Sequence, residues 1–486
     1  MKRSAGILLH ITSLPSPYGI GSLGKEAREF ADSLKKAGMA YWQILPTGYT
    51  GYGNSPYQCY SVFAGNPLLI DLELLIEEGL LLRSEAAALD WGSDQERVDY
   101  EKVEAAKEQA LRRAFARFPM EQAQAFAQEN AWWLRDFSIY MAAKRAEGGR
   151  QWTEWQDERL KRRQLEEDAL AALREEMDYQ VFLQYVFYSQ WFRLKEYVNS
   201  LGIQIIGDIP IYVAMDSCDT WANRELFWLD EDLAPQYVAG VPPDYFSATG
   251  QLWGNPIYRW DVLRERNYDW WMQRIDWARR SYDLVRLDHF RGFESFWMVP
   301  YGEETAVGGH WEKGPGMDLI GKIKEKYGES IIAEDLGLLT DEVRQLLWDS
   351  GFPGMKVLQF AFDSPDGDAQ PHRVPSHCVM YSGTHDNDTL QGWLESAGAF
   401  CAAYAREYMG LSEEEGLVRG CLRSVMECPA NLAVLQMQDV LGLGTQARMN
   451  LPGTVGDNWR WRMKPQAFTD QVAERLLRMA KMYSRA

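Results

Sequence analysis

A short apolar run that ends in paired charges constrains this chain more than any other feature. Leu284, Val285 and Leu287 read as a buried β-strand, which carries Arg286 and runs straight into Asp288 and His289 before breaking at Gly292. A parallel strand covered on both faces has no packing use for such charges, and burying them unpaired is costly. Side chains alternate across a strand, so Arg286 and Asp288 point the same way. A guanidinium favours the ionised form of a carboxylate beside it, which suits a nucleophile or a cation-stabilising group. Taken alone, the pair reads better as a structural ion pair.

It is not alone. Ser330 to Ala333 is an apolar run stopped by Glu334, Asp335 and Gly337, and Cys378 to Tyr381 leads through Gly383 into His385, Asp386, Asn387 and Asp388. Carboxylates at the carboxyl ends of successive strands, with helical stretches between them, are the layout of an active site on a (β/α)8 barrel. The expected fold is therefore an α/β TIM barrel. Its first strand is expected near Gly6 to Ile11, its second at Tyr41 to Pro46 and its third at Ile203 to Val213, with Asp208 near the end. Further strands are expected at Gly354 to Phe360 and within Asn431 to Leu441.

Three parts follow. Residues 1–74 form the opening of the barrel, including an irregular loop with Tyr49, Tyr52, Tyr57 and Tyr60 set among Gly, Ser, Asn and Pro. Most of these rings are expected to pin the loop by packing, and Tyr57, beside Asn54, Ser55 and Pro56, to face a ligand. From 75 to 199 the composition turns to Ala, Glu, Gln, Arg and Leu, and Leu170 to Val198 has the spacing of one or two long amphipathic helices. This is expected to be a helical insertion between strands 2 and 3. Residues 200–486 complete the barrel, with long loops at 215–260 and 448–462, rich in Gly, Pro and Trp, lying over the carboxyl-end face as lids.

Composition excludes several functions. A net charge of −19 without a basic run argues against nucleic acid and anionic membrane surfaces. The six cysteines are scattered without a C-x-x-C pair, so neither a zinc site nor a disulfide framework is expected. Nothing approaches about 18 consecutive apolar residues, and the protein is expected to be soluble and cytoplasmic. The abundant Trp, Tyr and Phe residues mostly fill the core, yet aromatic rings beside acids also suit sugar rings.

Asp288, Glu334 and Asp386 converge at one barrel mouth on this reading. Retaining glycoside cleavage needs a carboxylate nucleophile and a second carboxyl that serves as acid and then base. Asp288, beside Arg286, suits the nucleophile. Glu334, on an otherwise apolar strand, suits a carboxyl kept protonated by desolvation and neighbouring acids. Asp386 would bind sugar hydroxyls. A metal site is the rival chemistry, weakened because the spacing of a calcium loop is absent and no H-x-x-x-H pair occurs. The residues by themselves support a retaining glycosidase or transglycosidase.

The motifs H-I-T-S-L-P-S-P-Y-G-I-G from His10, G-N-S-P-Y from Gly53, Q-W-x-x-L-K from Gln190, G-D-I-P-I-Y-V from Gly207, G-x-P-P-D-x-F-S from Gly240, R-L-D-H-F-R-G from Arg286, A-E-D-L-G from Ala333, G-T-H-D-N-D-T from Gly383 and R-M-N-x-P-G-T from Arg448 run almost end to end. Through them the chain resembles the 4-α-glucanotransferases, the amylomaltase or disproportionating enzymes of the α-amylase-like barrels. The resemblance implies Asp288 as nucleophile, Glu334 as acid/base and Asp386 as the third acid. It implies Ser55 in the substrate-binding set, Tyr57 stacked on the donor sugar, Asp208, Arg286, His289 and His385 around it, and Trp253 and Asn458 on loops framing the acceptor path. It further implies maltooligosaccharides and starch- or glycogen-derived α-1,4-glucans as partners, with no metal or organic cofactor. A retaining α-glucan hydrolase of the same clan is the near alternative. A non-catalytic glucan-binding barrel would require one of the acids to be missing, and all three are present.

Overall fold

The computed structural model describes residues 2–243, 247–337 and 339–486. Asp244, Tyr245 and Phe246 of the motif beginning at Gly240 therefore lie outside the described residues. Eight parallel strands form the central sheet: β1 (Ser4–Leu8), β2 (Tyr41–Gln43), β3 (Gln204–Ile209), β4 (Leu284–Leu287), β5 (Ile331–Ala333), β6 (Gly354–Val357), β7 (Cys378–Tyr381) and β8 (Leu432–Gln436). Their spatial order is β6-β7-β8-β1-β2-β3-β4-β5, so sequence neighbours are spatial neighbours throughout. The remaining seam, β5 against β6, is joined differently. The Ala333 N–H donates to the Pro353 carbonyl at 2.9 Å, and the Asp335 carboxylate accepts from the Met355 N–H at 2.7 Å. A Cβ on Gly354 would lie 2.8 Å from that carboxylate, which is why the strand opens on glycine.

The helices between strands follow the apolar spacing. In Lys25–Lys36 the buried residues are Ala27, Phe30, Ala31 and Leu34, one stripe turned to the sheet. Asp341–Ser350 starts on a Thr340 cap that accepts from the Val343 N–H and stops at Gly351 with φ of 67°. The strands are shorter than the apolar runs suggest. β3 ends at Ile209 because Pro210 has no N–H to continue the ladder, and β6 ends at Val357 where residues 358–360 wind into a 3-10 turn.

Residues between β2 and β3 form mainly helices, including Tyr100–Phe115, Ala131–Ala146 and a single 34-residue helix, Glu167–Ser200, where the spacing allowed one or two. Phe182, Tyr188 and Trp191 of the long helix are buried in the same apolar core as the barrel strands. Two glutamines clamp it. Gln184 accepts from the Gly65 N–H at 2.7 Å and donates to the Gly65 carbonyl at 3.0 Å; Gln190 does the same to Asp71 at 2.7 and 3.1 Å.

One sheet was not expected. Tyr237–Val241 and Gln251–Pro256, within the stretch read as a loop, pair antiparallel, and Ser295–Pro300 and His310–Lys313 extend them to four strands in the order 251–256, 237–241, 295–300, 310–313. Gly240, Gly254 and Pro256 interrupt any alternation, so composition alone reads as loop. No helix of the described residues is long and apolar enough to cross a membrane.

The clamps give a stability prediction. Gln184→Leu strands a buried N–H and C=O of Gly65, and urea denaturation is expected to show a loss of about 2 to 4 kcal/mol; an unchanged midpoint would mean that the peptide finds other partners.

Candidate active site

The site begins with one buried guanidinium. Asp208 of β3 and Arg286 of β4 are register partners in the ladder, so their side chains leave the sheet side by side. Arg286 Nη1 donates to Asp208 Oδ1 and Oδ2 at 2.9 and 2.7 Å, and to Asp288 Oδ1 at 2.7 Å. Burial alone would weaken the charge on Arg286, yet the two carboxylates outweigh it and hold its pKa well above the ordinary value. Burial raises the pKa of Asp208, against the pull of Arg286.

Glu334 follows β5 directly. Its Oε2 accepts from the His289 N–H at 2.8 Å and its Oε1 from the Leu336 N–H at 2.7 Å. His289 has φ of 51° and ψ of 51°, a left-handed conformation that non-glycine residues seldom adopt. That turn aims its N–H at Glu334. Burial, then the charge of Asp288, raise the Glu334 pKa to about 7 against Arg286 and the two N–H donors. The His289 ring stands edge-on to Trp253, with centroids 4.8 Å apart, and burial lowers its pKa to about 4.

Asp386 follows β7 and has the opposite surroundings. Burial would raise its pKa, but His385, whose Nε2 lies 3.4 Å away, and Asn450 Nδ2, which donates at 2.6 Å, hold it at about 2. Arg448 donates to the Asp386 carbonyl at 2.6 Å, and the Asn450 N–H to the His385 carbonyl at 3.1 Å. His385 is itself raised: burial opposes its charge and Asp386 overcomes that.

Tyr57 joins the two halves. Its ring stacks on His385 at 4.9 Å, its hydroxyl donates to Asp208 Oδ2 at 2.8 Å, and His385 Nδ1 lies 3.3 Å from the same oxygen. With the hydroxyl proton committed to Asp208, the tyrosine oxygen accepts from Nδ1–H, and Nε2–H faces Asp386: the geometry of an imidazolium. Ser55 Oγ accepts from the Tyr57 N–H at 3.3 Å and so shapes the turn that presents the ring. Tyr49 and Tyr60 pack edge to face at 5.5 Å against the core, as expected of them; the side chain of Tyr52 lies outside those described.

Ser55, Tyr57, Trp253, Asp288, His289, His385, Asp386 and Asn458 line one open cleft of about 840 Å³. Asp208, Arg286 and Glu334 are buried and reach this group through the contacts above. Trp253 is carried by the strand Gln251–Pro256. Asn458 pins its own loop, accepting from the Leu451 N–H at 3.0 Å and donating to the Thr454 carbonyl at 2.9 Å. Three contributors had no role assigned from sequence: Arg448, Asn450 and Trp459, whose ring lies 5.9 Å from both Tyr57 and His385. Arg448 and Asn450 stood inside a recognised motif and Trp459 beside Asn458, so the signal was position alone. Among the described residues no group of three or more His, Cys, Asp or Glu is placed to hold a metal ion.

This arrangement has an ion-paired carboxylate, a second carboxyl that carries a proton near neutrality and a third that is firmly ionised. Comparison with known proteins places the chain in a family. The family model described as 4-alpha-glucanotransferase matches residues 9–469. A 4-alpha-glucanotransferase of Clostridium butyricum is 47% identical over 485 residues, covering 98% of this chain and 100% of that one. One of Thermus thermophilus is 48% identical over 505 residues, covering 100% and 99%. The structure of an amylomaltase from Streptococcus agalactiae in complex with acarbose superposes over 100% of both chains with a TM-score of 0.96 at 42% identity. The family model and the full-length similarity in sequence and fold show that the chain belongs to the 4-alpha-glucanotransferase family.

Proposed function

We propose that the enzyme moves a segment of a 1,4-α-glucan onto the 4-hydroxyl of glucose or of another 1,4-α-glucan by a retaining double displacement, with Asp288 as nucleophile and Glu334 as acid/base. The observation that carries this is the pairing of Asp288 with Arg286 in one cleft with a carboxyl whose pKa is raised to about 7. The S. agalactiae amylomaltase, solved with acarbose, supports an oligosaccharide ligand.

In the first step an Asp288 oxygen attacks the anomeric carbon of the donor glucose. The glycosidic bond breaks, and Glu334 gives its proton to the departing oxygen, which leaves as the 4-hydroxyl of the shortened chain. In the second step the 4-hydroxyl of an acceptor attacks the same carbon, its proton passes to Glu334, and the ester to Asp288 breaks. Two inversions preserve the α configuration. Asp386 accepts hydrogen bonds from hydroxyls of the donor sugar, the Tyr57 ring supplies an apolar face, and His289 and His385 add polar contacts. Trp253 and Asn458 frame the approach of the acceptor. Transfer prevails over hydrolysis when the ester meets a glucan hydroxyl before water, which suits an aromatic-lined cleft.

Maltotriose alone as substrate separates transfer from hydrolysis. Glucose and maltopentaose are expected at constant total reducing ends; rising reducing ends would make the enzyme a hydrolase. Asp288→Asn and Glu334→Gln are each expected to lower kcat by roughly 10³-fold or more.

Glu334 must be protonated for the first step, and its proton is lost as pH rises through about 7. The kcat/KM for maltotriose is expected to fall above that pH, and a flat profile to pH 9 would remove Glu334 as the acid. Asn450→Ala removes a donor to the Asp386 carboxylate. Asp386 then titrates higher, and a loss of about 1.5 to 3 kcal/mol is expected, read as a roughly 10- to 150-fold fall in kcat/KM.

A further inference from the structure

The cleft has a wall that the catalytic strands do not supply. Asp216, in the loop after β3, is held by the helical insertion: Lys144 Nζ lies 2.6 Å from its Oδ2, the Tyr140 hydroxyl donates to Oδ1 at 2.6 Å, and the Trp152 N–H reaches the same oxygen at 3.3 Å. Trp152 Nε1 donates to the Met215 carbonyl at 2.7 Å. The Lys144 side chain is only 7% exposed, whereas that of Asp216 is 28% exposed. A buried ammonium demands a counter-charge, so Asp216 is fixed from behind while its open side lines the cleft with Tyr60, Gln151 and Met215.

The chemistry of that wall is specific. A carboxylate offers about four acceptor sites, and the insertion occupies three of them on Asp216. Gln151 spends one N–H on Thr153 Oγ1 at 2.6 Å, which leaves amide groups for a ligand. Acceptors and donors beside a thioether and a tyrosine ring fit the hydroxyls and apolar face of a hexose, and the carboxylate disfavours an anion. The acids belong to β4, β5 and β7, whereas this wall is tied to the insertion.

We infer that Asp216 and Gln151, positioned by Lys144 and Tyr140, form a glucan subsite that binds a sugar unit remote from the bond being cleaved, and through which the helical insertion sets chain-length preference. This rests on the glucan-transfer reading above. It makes Lys144 and Tyr140 positioning residues.

The test measures binding by calorimetry in an Asp288→Asn background, where no transfer intervenes, with maltotriose and maltoheptaose as probes. Gln151→Ala and Asp216→Asn are each expected to weaken maltoheptaose about tenfold and maltotriose by less than threefold, with unchanged thermal midpoints for Gln151→Ala. Equal losses for both sugars, or none for either, would overturn the subsite. Should Asp216→Asn fail to fold around the unpaired Lys144, Gln151→Ala decides. A parent that binds neither sugar would overturn the glucan reading itself, an outcome distinct from one that binds both without regard to length.

Discussion

The site depends on a single desolvated charge. Arg286 is buried and its Nη1 meets three carboxylate oxygens of Asp208 and Asp288 within 2.9 Å. One positive charge set against two negative ones leaves the barrel mouth acidic in a medium where charges are poorly screened. Burial, and after it the charge of Asp288, disfavour a third anion close by, and the Glu334 pKa is raised to about 7 against the pull of Arg286. Asp208 has its own share in this. It anchors the guanidinium and accepts a hydrogen bond from the Tyr57 hydroxyl, so the aromatic ring and the nucleophile are oriented through the same cation.

Glu334 and Asp386 show how two carboxyls at the ends of β5 and β7 acquire opposite habits. Both are buried. Glu334 faces the charge of Asp288 and receives two backbone N–H groups; Asp386 faces the His385 imidazolium and the Asn450 amide. The difference between about 7 and about 2 comes from partners, since burial pushes both the same way. The left-handed turn at His289 belongs to this arrangement: strain is accepted where it delivers an N–H to the acid that has to be held in place.

What the sequence shows and what it hides divide along a physical line. Charges abutting apolar runs at Leu287 and Tyr381 are local signals, and so the barrel, the three acids and Arg286 were legible. The antiparallel sheet was not, because Tyr237–Val241 gains its strand character from Ser295–Pro300, a partner distant in the chain, Gln251–Pro256 pairs only with Tyr237–Val241, and glycine and proline erase their alternation. Asn450 was visible only as a member of a motif and Trp459 only as the neighbour of Asn458, since their contacts with Asp386 and His385 are tertiary. Lys144 and Asp216 were invisible as a pair for the same reason. The strand ends at Ile209 and Val357 fell short of the apolar runs, where Pro210 and the 3-10 turn stop the ladder.

The glutamine clamps make the helical insertion and the barrel one unit. Gln184 and Gln190 each close both hydrogen bonds of a peptide in the segment that follows β2, and Phe182 and Trp191 share the barrel's core. The helical segment is thus no cassette. It cannot be lifted out or exchanged with that of a homologue unless the N–H and C=O groups of Gly65 and Asp71 find equivalent partners, so the insertion and the barrel have to change together.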